Sequence, residues 1–162
     1  MQIFILDRDP KVCAEMHVDK HCIKMILESC QLLCTTLRAN GVDYGYGATH
    51  KNHPCRIWTG KSKANFYWLK DLGLALCSEY THRYGKVHKS QEVLENLPDL
   101  NIKDVGLTPF AQAMPDEYKD EDIVKAYRSY YLGAKSHILT YTNREPPDWL
   151  KGIAKYKEKV IK

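Results

Sequence analysis

Hydrophobic and polar positions change their period several times along the chain. Residues 2–6, QIFIL, make a short apolar run that reads as extended chain, and DRDP ends it at once. Asp9 followed by Pro10 supplies an N-cap oxygen and a first-turn proline, which predicts a helix from about 10 to 18. After a bend, a longer helix is expected to run to about 39, where Asn40 and Gly41 offer C-cap chemistry. Residues 41–54 form a glycine-rich loop. A second long helix is predicted from about 61 to 84 and closed by Gly85, with Phe66, Leu69, Leu72, Leu76 and Tyr80 as its apolar stripe. SQEVLENLP reads as a short helix closed by Pro98, and residues 98–118, with three prolines, as irregular chain. A third long helix is predicted across DEDIVKAYRSYYLGAKSHILTYTN, acidic in its first turn, with REPPDWL extended after it. Only residues 2–6 suggest a strand, and there is no repeat or linker. The expected fold is mainly α: a single compact domain over residues 1–162, with about three long helices, short helices, ordered loops and a basic tail over about 151–162.

A polar row interrupts the apolar surface of the first long helix. His17, His21, Lys24 and Glu28 step by four, three and four along one face, and Gln31 and Thr35 continue it. The neighbouring positions, Cys22, Ile23, Met25, Ile26, Leu27 and Cys30, are apolar. A solvated face is usually broader than this. The narrow row therefore fits a cleft wall, and His17, His21, Lys24 and Glu28 are the candidate catalytic residues, with Glu28 as the key carboxylate. The competing reading is a plain water-facing stripe.

THKNHPCRIW gathers a second set of candidates: His50, Lys51, Asn52, His53, Arg56 and Trp58. Pro54 should start a helix, placing His53 near backbone donors that favour an anion. Arg56 can grip a phosphate and Trp58 can stack on a base, unless the loop only caps its helix and Trp58 lies in the core. Gln112 could read a base or amide edge, and Tyr127 and Arg128 could form an aromatic and basic platform; packing roles are the alternative for all three. Glu79 and Arg83, four apart, read as a surface ion pair.

Composition narrows these options. With 44% hydrophobic and 27% charged residues, long disorder is not expected. The formal charge of +4 is modest, but Lys151, Lys155, Lys157, Lys159 and Lys162 concentrate at one end, where phosphate attraction or simple solvation would suit them. Six cysteines form no CxxC pair and read as packed free thiols. His17 and His21, with His50, His53 or Cys55, do not complete a defined zinc set, so no metal and no cofactor is assigned. Walker, GxGxxG and GxSxG motifs are absent, which argues against ordinary nucleotide hydrolases and dinucleotide enzymes. No apolar run approaches a membrane span and no secretory signal is seen, so a cytoplasmic protein is expected. The phosphate-gripping and stacking candidates make DNA or nucleotide the expected partner.

DKHCIKMILE, HKNHPCRIW, LALCSEYTHRYGK and TPFAQAMPDEY resemble a group of uncharacterised proteins common in phage genomes. More distantly, the chain resembles the pyrimidine-dimer DNA glycosylase family. Asp19, His21 and Glu28 reproduce its D-x-H-x6-E spacing, EYTHRYG is similar to its Glu…Arg-Gly pattern, and NREPPDWL resembles its Arg-Pro-x-Trp ending. The resemblance implies an all-α enzyme in which Glu28 supports glycosidic-bond cleavage and a terminal amine forms an imine with the sugar. It also implies that His21 holds a phosphate or flanking base. That family exposes a small residue's amine after loss of the initiator methionine. Here the bulky Gln2 should keep Met1 in place, which leaves Lys24, if buried, as a substitute amine. The leading expectation is a phage-type DNA base N-glycosylase acting in the host cytoplasm. The alternatives are a DNA base or nucleotide modification transferase and a non-enzymatic nucleotide-binding protein of host interaction or anti-defence.

Overall fold

The helices start and stop where short-range chemistry directs them. The computed structural model covers residues 1–162. Helix α1 (Pro10–Met16) begins where the Asp9 carboxylate accepts from the Lys11 and Val12 amides. His17 and Val18 then adopt extended angles, and this is the bend before α2 (Asp19–Ala39). Helix α3 (Pro54–Thr59) is capped by His53, whose Nδ1 accepts from the Cys55 amide at 3.1 Å. Helix α4 (Lys63–Tyr84) ends at Gly85, whose φ of +69° and contact with the Ile161 side chain both exclude a Cβ. Two further helices follow: α5 (Gln91–Glu95) and α6 (Ile123–Ala134), the latter capped by Asp122.

Helices α2 and α4 form the central pair, with α1 packed on α4, α3 on α2 and α5 chiefly on α4. Phe66, Leu69, Leu72 and Leu76 of α4 meet Ile26, Leu33 and Leu37 of α2 in one core cluster of 33 buried residues. The fold is a compact, mainly α domain, as the sequence pattern indicates. Gly73 lies against Leu94 and Ser29, where a side chain would hold α5 away from the pair. The N-terminal run, Ile3 to Leu6, is wholly buried but joins no sheet: it threads the core as extended chain. No helix is long and apolar enough to cross a membrane.

Three expectations are corrected. The third long helix stops at Ala134, and after a 3-10 turn the chain enters strand β1 (Thr140–Thr142). Part of the supposedly loose tail forms β2 (Lys155–Lys157), paired in parallel with β1 in the register Thr140 to Lys155. Tyr141 and Thr142 are buried and tied to α1 and α2, and these contacts outweigh the local helical pattern. Finally, Glu79 and Arg83 are a buried pair, not a surface one. Arg83 is fully enclosed, donating to Glu79 at 2.6 Å, to Asp19 at 3.1 Å and to the Glu15 carbonyl at 3.0 Å. Arg144 completes the network with two hydrogen bonds to Glu79, of 3.0 and 2.7 Å.

Candidate active site

Gln2 fixes the start of the chain. Its amide nitrogen donates to the Ala113 carbonyl, while its Oε1 accepts from the Tyr127 hydroxyl at 3.1 Å and from the Ile3 amide at 3.2 Å. The Met1 side chain is only 3% exposed although the residue as a whole is partly exposed, so solvent reaches mainly its backbone end. That end carries an α-amine 3.5 Å from Glu28 Oε1. Lys24 Nζ lies 3.6 Å from the other carboxylate oxygen. Glu28 is 8% exposed, and its Oε1 makes no hydrogen bond, so its contact with the amine is ionic and leaves a lone pair free.

The loop before α3 closes this site from another side. Burial lowers the His53 pKa below its ordinary value; the Met1 amine and His50 lower it further, while Glu28 opposes them. Those influences place His53 within electrostatic reach of both Met1 and Glu28. His50 is exposed, bonded through Nδ1 to Thr49 at 2.8 Å, with its ring 6.4 Å from that of His53. A hollow of about 210 Å³ lies beyond, lined by Thr35, Arg38, Ala48, Lys51, Asn52 and Arg56. Thr35 follows Glu28 by seven residues on α2, which separates the two places by about 10 Å along the helix. A carboxylate beside an amine, with a cationic hollow at that spacing, can hold a sugar and a neighbouring phosphate of one strand.

The other predicted residues have different surroundings. His17 is fully buried and donates through Nδ1 to the Cys13 carbonyl at 2.7 Å; its Nε2 has no partner. Burial lowers its pKa to about 4. His21 stacks on Phe4 at 4.1 Å, with Nδ1 2.8 Å from the Tyr131 hydroxyl, and burial lowers its pKa to about 3. Neither histidine is hydrogen-bonded or ion-paired to Glu28 or Met1. Lys24 is a correction: its side chain is 71% exposed, so it is no buried amine. Trp58 is enclosed, stacked on Phe110 at 4.8 Å and hydrogen-bonded to the Thr108 carbonyl, and so offers no face to a base. Both ends of the Gln112 amide are used by the Asp120 backbone. Tyr127 is core and serves the Gln2 clamp. Arg128 holds the Leu6 carbonyl at 3.0 Å and covers the Trp149 ring.

Sequence reasoning set the terminal amine aside in favour of Lys24, because the bulky Gln2 should keep Met1 in place; nothing local shows that residues 1 and 28 meet. Arg38, which lines the hollow, was not singled out; its guanidinium is held by Asp43 and by the Tyr46 and Gly45 carbonyls.

No curated protein and no solved structure matches the chain significantly. Residues 1–93 match the sequence model described as pyrimidine dimer DNA glycosylase. The match covers more than half of the chain and includes Met1, Glu28, His53 and the basic hollow. The chain therefore belongs to the pyrimidine dimer DNA glycosylase family.

Proposed function

We propose that the protein is a DNA base N-glycosylase that works through the Met1 α-amine and Glu28. The observation that carries this reading is a largely buried carboxylate 3.5 Å from an amine whose own side chain anchors it in the core. Glu28 takes a proton from the Met1 ammonium, and the freed amine lone pair attacks C1′ of the deoxyribose. The glycosidic bond breaks, and the base departs with the bonding electrons and takes the proton from Glu28. Glu28 then removes a proton from the nitrogen now bonded to C1′ and returns it to O4′ as the C1′–O4′ bond breaks, which opens the ring and leaves an imine between Met1 and C1′. The Glu28 charge stabilises the cationic sugar as the bond breaks. Lys51, Asn52 and Arg56 hold a neighbouring phosphate, and His53, kept neutral, hydrogen-bonds the displaced base or its flank. Such chemistry on duplex DNA requires the target nucleotide to leave the stack.

The test is base release from damaged and hypermodified DNA by purified protein of confirmed N-terminal mass. Wild type should release base and Glu28→Gln should not. Borohydride should trap a crosslink to abasic DNA that maps to Met1, and a Gly-Ser extension before Met1 should abolish it. No release on any substrate, or equal release by both proteins, overturns the proposal. Added mass on the DNA would support a transferase, and tight nucleotide binding without product a non-enzymatic role.

A further inference from the structure

Helix α2 is enclosed along most of its surface, but one strip near Glu28 faces solvent: Lys20, Ile23, Lys24 and Leu27. Ile23 and Leu27 are 41% and 39% exposed and, four residues apart, stand side by side as an aliphatic ridge. Beside them runs the loop after α4, where His88 lies near the Ile23 backbone and Val87 is 71% exposed between Lys86 and Lys89. Residues 20, 23, 24 and 27 and residues 86–89 carry four lysines and no carboxylate. A cationic rim around an aliphatic ridge complements a polyanion whose interior is apolar.

The ridge is also continuous with the candidate active site. Leu27 precedes Glu28, and Lys24, one turn earlier, contacts the Glu28 carboxylate. A sugar brought to Met1 and Glu28 therefore carries its neighbouring nucleotides across Ile23 and Leu27. A nucleotide drawn out of a duplex leaves a gap between stacked bases, and an aliphatic side chain can fill it for any sequence because it makes no hydrogen-bonding demand.

We propose that Ile23 and Leu27 form a wedge that enters duplex DNA at the base step beside the nucleotide being processed, a role that rests on the DNA-glycosylase reading above. The probe is a duplex carrying a tetrahydrofuran abasic analogue with 2-aminopurine as the adjacent base, and the protein is Glu28→Gln, so that turnover does not intrude. Saturating protein should raise 2-aminopurine fluorescence severalfold as the step opens. Adding Ile23→Ala and Leu27→Ala, which keep the helix, should abolish that rise while DNA is still bound. Lys20→Gln and Lys86→Gln should keep the rise at saturation but lower the salt dependence of binding by about one unit of slope for each lysine removed. An undiminished rise in the double alanine variant overturns the wedge, and so does DNA binding by Glu28→Gln without any rise; neither result touches the glycosylase reading. A rise that depends on Ile23 and Leu27, with no base release by wild type on any substrate, supports the wedge and removes the glycosylase reading alone.

Discussion

His17 and His21 are the clearest case of tertiary surroundings changing what a residue can do. Both are buried, with pKa values lowered from 6.5 to about 4 and about 3, chiefly because burial penalises the charged ring. Tyr131 accepts from the Val18 amide, so its own proton is free for His21 Nδ1, an arrangement that leaves the ring proton on Nε2. Folded protein keeps both rings neutral while unfolded chain protonates below 6.5, so unfolded chain binds more protons in that range. The stability they support is therefore complete above 6.5 and falls as pH drops toward 4 and 3. Each histidine should cost about 2 kcal/mol of unfolding free energy at pH 5 relative to pH 7. Urea unfolding at the two pH values checks this, and equal stability at both would contradict it. Glu79 acts in the same direction. Burial would raise its pKa, but the Arg144 hydrogen bonds and the Arg83 charge prevail and hold it low, so its contribution is lost as pH falls through the acid range.

Among the elements, the residues that make the chain resemble its family fall into two groups with different work. Glu28 faces the Met1 amine. Asp19, Glu79, Arg83 and Arg144 instead form one buried charge network that ties α2, α4 and the segment after β1 together. Asp19 also accepts from the Thr142 amide at 2.9 Å, which fixes the first turn of α2 against β1. Glu79→Gln would leave two guanidinium groups without their shared carboxylate, a loss that should cost about 3–5 kcal/mol. Chemical denaturation measures it; a cost below about 1 kcal/mol would mean that the network is solvated and weak. The sequence signals for helix ends at Asp9 and Gly85 were readable because capping involves residues only a few positions apart. An i,i+4 pair such as Glu79 and Arg83 looks the same on a surface helix as in a core, so its burial was not readable.

At the scale of the molecule, the tail closes the fold beyond its charge. Residues 155–157 pair with β1, the Lys159 backbone bonds to the Asn143 side chain, and Ile161 packs on Gly85. Removing residues 155–162 should lower stability by about 1–3 kcal/mol and lower the thermal midpoint with little change in helical signal. An unchanged midpoint would show that the tail adds only charge.

The sequence by itself determined the mainly α fold and most helix ends, and marked the carboxylate at position 28 and the basic cluster over residues 50–56 as candidates, because periodicity, capping and residue chemistry are local properties. It did not determine which of its polar residues share a site. His17, His21, Trp58, Gln112 and Tyr127 have the chemistry of candidates, but each is committed to packing or to a structural hydrogen bond. Only the tertiary structure brought residue 1 to residue 28, left Ile23 and Leu27 in solvent and drew the end of the chain against β1. Those contacts join positions far apart in the chain, and their energy comes from burial and complementary partners that no short stretch of sequence contains.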